Sequence, residues 1–267
     1  MDQSRKVAKH LRHVDYREKL GLTQQRIINY WSPECGIDPK CAETLYLEKL
    51  LEGNQPAPDA RVLDAGCGPG GSAVWIARRF GCSVDGVDLF APYIEIAGRY
   101  DASRVHFARA DVTREPPPPE TYDLVVCIAV GYLIEDKRSF FRNLIAALRP
   151  SGRLLIADHF LARSAPWIDR KVMSAIISSR FMIPLAELVQ LLGEEGGRVV
   201  ESRDVTKQTI LASLDWLDGN APIKDLLLGR WTPHRLVYAI TKYSFHRAAH
   251  GGAWQMHFLT VERCPAP

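Results

Sequence analysis

No stretch of the 267-residue sequence is apolar for anything near the roughly 18 residues that a membrane-spanning helix needs. Residues 1–20 are polar and charged, so they lack the apolar core of a secretory signal peptide. These two absences predict a soluble, cytoplasmic protein without a membrane span. Excess charge is also missing, since the net charge is +3. No basic stripe with interleaved aromatic residues is present either, which argues against nucleic acid as a partner.

Cysteine motifs are absent as well, because the six cysteines contain no C-x-x-C pair. Cys67, Cys82 and Cys127 fall in or beside apolar segments, as expected of small buried residues. We therefore expect a reduced chain rather than a disulfide scaffold. Internal repeats are lacking, and the proline run Pro116–Pro119 predicts an exposed loop. What remains is an ordinary globular composition, 46% hydrophobic and 24% charged.

The most informative stretch is Val62–Ser72, which reads VLDAGCGPGGS. An apolar run that contains an acidic residue leads into a glycine-rich turn, and an amphipathic helical pattern follows. Glycine permits a positive φ and a close approach of the backbone to a ligand, and a helix start offers unpaired N–H groups. The stretch therefore predicts a strand, a tight loop and a helix N-terminus that together hold a phosphate, a carboxylate or the sugar of a nucleotide.

Strand and helix patterns alternate from Arg61 onward, which is typical of a doubly wound α/β (Rossmann-like) sheet with helices on both faces. In such sheets a ligand binds beyond the carboxyl ends of the strands, where the strand order reverses. Helices are predicted at residues 40–52, 72–80, 92–100 and 137–148, and strands at 61–65, 82–89, 105–108, 122–130, 153–157, 198–205 and 254–263.

Two further carboxylates stand where a nucleotide would be recognised. Asp88 ends the next strand, 20 residues after Gly68, where a carboxylate can accept hydrogen bonds from ribose hydroxyls. Asp111 closes the third strand, where it can accept a hydrogen bond from an exocyclic adenine amine. An NAD site is the alternative interpretation. However, a dehydrogenase typically keeps a G-x-G-x-x-G spacing, and Asp64-x-Gly66-x-Gly68 fits a sulfonium amino acid better.

Five segments, in this order, resemble the class I S-adenosylmethionine-dependent methyltransferases: VLDAGCGPGG at 62–71, VDGVDL at 84–89, ARADV at 108–112, YDLVVC at 122–127 and LRPSGRLLI at 148–156. The resemblance implies a seven-stranded methyltransferase sheet that binds S-adenosylmethionine. By that resemblance Gly66 and Gly68 would lie against the methionine part of the cofactor, and Asp88 would hold the ribose. The cofactor-binding residues that it implies are Asp64, Gly66, Gly68, Gly70, Asp88, Leu89, Asp111, Val112 and Ile128.

The whole chain is expected to form one methyltransferase domain. Residues 1–56 would form a helical N-terminal lid, residues 57–160 the cofactor-binding core, residues 161–250 a mainly helical cap with one strand, and residues 251–267 the final strand. The helical insertion thus precedes the last two strands. A solvated basic helix is the other interpretation of residues 1–30, and ordinary packing on the sheet is the other interpretation of the insertion.

The methyl acceptor is indicated by weaker signals. After the fourth strand the chain lacks the Asn/Asp-Pro-Pro-aromatic tetrad of amide and base N-methyltransferases, which argues against DNA or protein-glutamine substrates. The RFGCSVDGV segment at 79–87 and the aromatic-rich tail are similar to C-methyltransferases that act on sterols, tocopherols and prenyl diphosphates. That resemblance implies C-methylation of an isoprenoid, a prenyl diphosphate, in specialised metabolism. The sterol and geranyl diphosphate enzymes carry a glutamate in the loop after strand four, whereas this chain has none until Glu135.

Three residues beyond the fourth and fifth strands are predicted as catalytic: His159, Tyr132 and Glu135. His159 is placed just past the predicted fifth strand, where a histidine with a near-neutral pKa would act as a general base. A hydrogen-bonded structural histidine is the other interpretation.

Substrate binding is predicted for Tyr30, Trp31, Arg235, Lys242, His246 and His250. The last three recur at helical spacing with Arg235 a further turn back, so they would form a cationic face that binds a diphosphate. Mg²⁺ would then bridge the phosphates, although no residue is assigned as a metal ligand. A solvated helix face is the other interpretation.

Two other functions stay open at this point. One is O- or N-methylation of another secondary metabolite, with His159 as the base. The other is a non-catalytic S-adenosylmethionine-binding subunit of a larger assembly. For an enzyme, the expected partner is a small-molecule substrate, and a homodimer is compatible with the sequence.

Overall fold

The computed structural model describes residues 39–162, 181–212 and 248–264 without a gap, and in addition residues 32, 35, 165–167 and 170–171. The elements in chain order are α1 (Pro39–Leu50), β1 (Arg61–Ala65), α2 (Gly71–Phe80), β2 (Ser83–Asp88), α3 (Ala91–Ala97), β3 (Val105–Arg109), β4 (Tyr122–Ile128), α4 (Lys137–Ala147), β5 (Leu148–Leu161), α5 (Leu185–Glu194), β6 (Gly197–Asp204) and β7 (Trp254–Arg263). A 3₁₀ turn (Gly131–Leu133) follows β4, and a π-helical turn (Lys207–Leu211) follows β6.

The described strands form one seven-stranded sheet in the order β3-β2-β1-β4-β5-β7-β6. Strands β1 to β5 pair in parallel, and β7 runs antiparallel to both β5 and β6. The chain moves outward from β1 through β2 and β3, then returns to the other side of β1 with β4. The strand order therefore reverses between β1 and β4, which is where ligands bind in sheets of this type. The predicted doubly wound, seven-stranded sheet is confirmed.

The centre of the sheet is buried on both faces because its middle strands are apolar without interruption. Val62 and Leu63 in β1 and Val125 and Val126 in β4 have no exposed surface, as expected of parallel strands that helices cover on both sides. One apolar cluster joins α1 and α2 to the sheet, and a second joins α4 and α5 to its other face. This double cover makes the strand ends rigid platforms for the loops that follow them.

Strand β5 extends past its predicted end. The sequence predicts it over residues 153–157, ending at Asp158 and with His159 just past it. In the structure Asp158 pairs with His257 and His159 pairs with Met256 on β7. The parallel partner β4 ends opposite Ala157, but the antiparallel partner β7 continues the pairing to Leu161. The prediction is wrong here because the strand end is set by a partner distant in sequence.

The expectation of reduced cysteines is also corrected at one place. A disulfide joins Cys35 and Cys41, whose Cα atoms lie 5.3 Å apart, within the usual range for such a bond. Cys41 lies in the first turn of α1, which brings it beside Cys35. By contrast, Cys67, Cys82 and Cys127 are free and buried, as predicted.

The outer parts of the predicted domain are described in part. Helix α1 lies within the predicted lid region and packs on the sheet, where the rings of Tyr46 and Phe258 meet edge to face at 5.0 Å. Helix α5 and strand β6 lie within the predicted cap, and β6 confirms the strand expected there. Residues 1–31, 163–164, 168–169, 172–180 and 213–247 lie outside the described residues. Among the helices that are described, none is long and apolar enough to cross a membrane.

Candidate functional site

A cavity of about 560 Å³ opens beyond the carboxyl ends of β1, β2, β3 and β4. This volume is within the range of small-molecule sites. Its lining residues are Gly66, Cys67, Gly68, Pro69, Ser72, Val87, Asp88, Leu89, Phe90, Tyr93, Ala110, Asp111, Val112, Thr113, Ile128, Ala129, Val130, Tyr132, Leu133, Ile134 and Phe140. The cavity thus lies at the reversal of strand order, where the sheet topology predicts a ligand.

The glycine-rich turn forms one wall of this cavity. The N–H groups of Gly66 and Cys67 both donate to the carbonyl of Val87, at 2.7 and 3.0 Å, so the turn is tied to β2. Gly66 has a φ of +80°. A Cβ atom at this position would lie 2.3 Å from Cγ2 of Val130, which follows β4. Glycine is required here because the turn runs directly beneath the loop that follows β4.

Asp88 places a carboxylate in the cavity with both oxygens oriented. Oδ2 accepts from the N–H of Gly68 at 2.9 Å, and Oδ1 accepts from the N–H of Phe90 at 2.8 Å. Burial raises the pKa of Asp88, and these two N–H groups oppose that rise. A carboxylate has about four lone-pair sites, so each oxygen can accept a second hydrogen bond. The group can therefore bind a pair of neighbouring hydroxyls.

Asp64 and Gly70 lie outside the cavity wall and support it from behind. Asp64 is buried at the end of β1 and accepts a hydrogen bond from Oγ of Ser72 in the first turn of α2. Burial raises the pKa of Asp64 to about 7. Gly70 packs so closely on Phe107 that a Cβ atom would lie 2.6 Å from the ring. Both residues fix the turn, whereas Gly66 and Gly68 line the cavity.

The remaining residues of the predicted cofactor set all line the cavity: Leu89, Asp111, Val112 and Ile128. One oxygen of Asp111 accepts from the N–H of Thr113 at 3.0 Å and from its hydroxyl at 2.6 Å. The structure therefore brings together carboxylates from β2 and from the end of β3, with apolar side chains between them.

Sequence reasoning missed an aromatic part of the lining. Phe90 and Tyr93 stand at the start of α3, with their rings edge to face at 5.0 Å, and Phe140 reaches the cavity from α4. The available signal was that Phe90 and Tyr93 follow Asp88 closely and are three residues apart. At a helix start this spacing places both side chains on the same side, here the side that faces the strand ends.

His159 is not placed as a general base, and that prediction is corrected. It is 4% exposed and lies on β5, outside the cavity lining. Nε1 of Trp254 donates to Nδ1 of His159 at 3.2 Å, and because an indole nitrogen can only donate, the Nδ1 lone pair is occupied. Burial lowers the pKa of His159 to about 3. These observations fit the other interpretation, a hydrogen-bonded structural histidine.

This burial predicts an acid-sensitive contribution of His159 to stability. An unfolded chain binds a proton at His159 below about pH 6.5, whereas the folded chain does not until about pH 3. The free energy of unfolding of the wild type, minus that of His159→Phe, should therefore fall as the pH decreases from 6.5 towards 3. Urea unfolding of both proteins over this range measures the difference. A difference that stays constant with pH would contradict a neutral, buried imidazole.

The other residues predicted to be catalytic or to bind substrate differ in whether the structure places them at the cavity. Tyr132 lines the cavity, its ring edge to face with His159 at 5.1 Å between centroids. Glu135 is exposed and outside the lining, so the structure does not place it with Tyr132. His250 is exposed at the end of a described helical segment, while Tyr30, Trp31, Arg235, Lys242 and His246 lie outside the described residues. Within the described ranges, no cluster of three histidine, cysteine or acidic side chains has the arrangement of a metal site.

Comparison with known proteins places this geometry in context. Residues 62–152 match a family model described as a methyltransferase domain. An O-methyltransferase from Pyrenophora dematioidea is 30% identical over 193 residues, which cover 67% of this chain and 70% of that protein. Methyltransferase GfsG from Streptomyces halstedii is 27% identical over 77% of each chain.

A solved structure shares the fold. Geranyl diphosphate C-methyltransferase from Streptomyces coelicolor A3(2), in complex with Mg²⁺, geranyl diphosphate and S-adenosyl-L-homocysteine, superposes with a TM-score of 0.71. The match covers 85% of this chain and 80% of that one, at 18% sequence identity. At this identity the likeness concerns the sheet and its helices, which agree with the topology described above.

Proposed function

The chain belongs to the class I S-adenosylmethionine-dependent methyltransferases, and from this premise we propose that it methylates a hydroxyl oxygen of a small, largely apolar metabolite. The observation that carries the proposal is the division of the cavity lining. Its described carboxylates, Asp88 and Asp111, come from the β2 and β3 side. The β4 side is lined by Ile128–Val130 and Tyr132–Ile134 and presents one phenol among apolar groups.

The residues present fit the cofactor. Asp88 keeps acceptor positions for two ribose hydroxyls, while its bonds to the N–H groups of Gly68 and Phe90 hold it in place. Leu89 and Val112 provide apolar surfaces for the adenine, and Asp111 provides an acceptor for its amine. When bound, S-adenosylmethionine supplies the methyl group from its sulfonium. The chain's own contribution at that end is to orient the acceptor and to exclude water through Ile128, Leu133 and Ile134.

Oxygen is proposed as the methylated atom for two reasons. The relatives that match much of this chain include O-methyltransferases from fungi. In addition, the sterol and geranyl diphosphate C-methyltransferases carry a carboxylate in the loop after β4. The described lining has no counterpart of this carboxylate, because Glu135 is exposed and lies outside the lining. Tyr132 is the side chain of the described β4 side that can hydrogen-bond to an acceptor hydroxyl.

C-methylation of a prenyl diphosphate is the second candidate. The specific observation in its favour is the aromatic lining, because the faces of Phe90, Tyr93, Tyr132 and Phe140 would stabilise a cationic isoprenoid. Under this alternative the diphosphate would be held by Arg235, Lys242 and His246, together with Mg²⁺.

A radiolabelled methyl-transfer assay tests the proposal. Purified protein is incubated with methyl-labelled S-adenosylmethionine and two sets of acceptors. The first contains geraniol, farnesol, 1-naphthol and estradiol; the second contains geranyl and farnesyl diphosphate, with Mg²⁺ or with a chelator. Label transferred to the alcohols or phenols supports O-methylation. If label is transferred only to the diphosphates and the chelator prevents it, O-methylation is rejected in favour of the second candidate. If the protein binds S-adenosylhomocysteine but transfers label to neither set, both acceptor classes are rejected.

A further inference from the structure

A buried lysine lies beneath the loop that follows β4. Lys137, the first residue of α4, is 7% exposed. Its Nζ donates to the carbonyls of Gly131 and Ile134, each at 2.7 Å. Lysine is almost never this buried unless it is paired. Here the ammonium joins the two ends of the short turn Gly131–Ile134.

A buried carboxylate holds the same turn from β5. Asp158 is 2% exposed. It accepts hydrogen bonds from the N–H groups of Gly131 and Tyr132, the latter at 2.9 Å, and from its own neighbour His159 at 2.8 Å. A Cβ atom at Gly131 would lie 2.5 Å from Oδ2 of Asp158. The carboxylate therefore contacts the turn as closely as glycine permits.

The two groups also support each other electrostatically. Burial lowers the pKa of Lys137 to about 8, and the charge of Asp158 opposes that fall. Burial likewise raises the pKa of Asp158 to about 7, while N–H donors and the charge of Lys137 oppose the rise. Removing one partner leaves the other charge buried without its counterpart, which is more costly than removing both.

The loop between β4 and this turn has a shape that the chain does not prefer on its own. Ala129 has a φ of +55°, a left-handed backbone conformation that residues other than glycine rarely adopt. The next residue, Val130, lies directly over Gly66. A strained backbone of this kind persists only where surrounding contacts fix it, and such strain clusters at functional sites.

From these contacts we propose that Lys137 and Asp158 are positioning residues that fix the turn Gly131–Ile134 so that Tyr132 and Leu133 form the acceptor end of the cavity. Neither Lys137 nor Asp158 lines the cavity. They act on the acceptor through the turn, the ammonium by holding its carbonyls and the carboxylate by holding its N–H groups. The inference rests on the proposed function in one respect, the assignment of this end of the cavity to the acceptor.

The first test replaces Lys137 by methionine, which keeps the length of the side chain and removes its donors. Arg138→Met is the matched control, because Arg138 is the next residue of α4, is exposed and pairs with Glu194 and Glu195. Deuterium exchange of the amides at 131–134 is measured for both, together with S-adenosylhomocysteine affinity by calorimetry. Lys137→Met should speed this exchange about 10-fold or more and leave the affinity within about threefold, whereas Arg138→Met should change neither.

Turnover gives the second measurement, with the best acceptor from the geraniol, farnesol, 1-naphthol and estradiol set. Misplacement of a turn by about 1 Å can cost about 100-fold in rate. We therefore expect Lys137→Met to lower kcat by about 10-fold to 100-fold and to change the order of preference among acceptors, with little change in KM for S-adenosylmethionine. Absence of turnover in the wild type would reject the proposed function, while the exchange measurement would still test the positioning role.

The double variant Lys137→Met/Asp158→Asn separates positioning from simple stabilisation. It removes both buried charges, so its resistance to urea should recover in part relative to Lys137→Met; the recovery is partial because the asparagine amide opposes one of the N–H groups that donated to the carboxylate. The carbonyls of Gly131 and Ile134 still lack their donor, so exchange at 131–134 should stay fast and kcat should stay low. Recovery of exchange and kcat together with stability would overturn the proposal, and so would wild-type exchange at 131–134 in Lys137→Met.

Discussion

Asp88→Asn is expected to weaken S-adenosylhomocysteine binding by about 100-fold. The asparagine amide would point a donor at the N–H of Gly68 or Phe90, both of which now donate to the carboxylate. It would also remove the charge that we propose accepts two ribose hydroxyls. Two hydrogen bonds to a charged group, at about 1.5 kcal/mol each, amount to about 3 kcal/mol, or roughly 100-fold in the dissociation constant. Isothermal titration calorimetry of S-adenosylhomocysteine with both proteins measures this change in the dissociation constant.

Asp85→Asn is the matched control for Asp88→Asn. Asp85 lies on the same strand, accepts from Arg61 and Tyr122 at 3.0 Å each, and does not line the cavity. Its replacement should leave the affinity within about threefold. Because burial raises the pKa of Asp88, the wild-type affinity should fall as the pH decreases towards that pKa, whereas the Asp88→Asn affinity should not. Equal affinities of the two variants would show that Asp88 does not hold the ligand.

Gly66→Ala is expected to abolish detectable cofactor binding and to destabilise the fold by about 2–4 kcal/mol. Its positive φ costs about 1 kcal/mol for any residue with a Cβ. The new methyl group would lie 2.3 Å from Cγ2 of Val130, and overpacking of this kind costs about 1–3 kcal/mol more. Relief of the contact displaces the loop after β4 from the cavity. Urea unfolding and calorimetry with S-adenosylhomocysteine measure the two effects.

Gly53→Ala separates the backbone cost from the contact. Gly53 has a φ of +77°, a Cβ atom there would meet nothing within 4 Å, and the position lies away from the cavity. This variant should lose only about 1 kcal/mol and bind normally. In Gly66→Ala/Val130→Ala the Cγ atoms are gone, so part of the stability and of the binding should return. If Gly66→Ala resembled Gly53→Ala in both measurements, the close contact with Val130 would be of no consequence.

The cofactor end of the site could be predicted from sequence because its signals are local. A turn that needs glycine, such as Gly66, and a carboxylate at a strand end, such as Asp88, are specified by a few neighbouring residues. The strands themselves are apolar runs whose ends carry these groups. For this reason Gly66, Gly68, Asp88, Leu89, Asp111, Val112 and Ile128 all line the observed cavity.

The acceptor end depends on distant contacts that the sequence pattern does not reveal. His159 is buried because β7, about a hundred residues further along the chain, extends its pairing with β5. Lys137 looks like an exposed helix start, yet it lies beneath the turn Gly131–Ile134, where its Nζ donates to two carbonyls and the charge of Asp158 on β5 favours the ammonium. In each case tertiary packing overrides a local expectation.

A crystal structure with S-adenosylhomocysteine would show directly whether the cavity has a cofactor end beside β2 and β3 and an acceptor end beside β4. We expect both ribose hydroxyls to lie within hydrogen-bond distance of Asp88 and the adenine to lie between Leu89 and Val112. We also expect the sulfur to face Ile128 and Tyr132, with the open space beyond it lined by Leu133 and Ile134. A ligand bound with its sulfur at the Asp111 end, or bound outside this cavity, would contradict this division of the cavity.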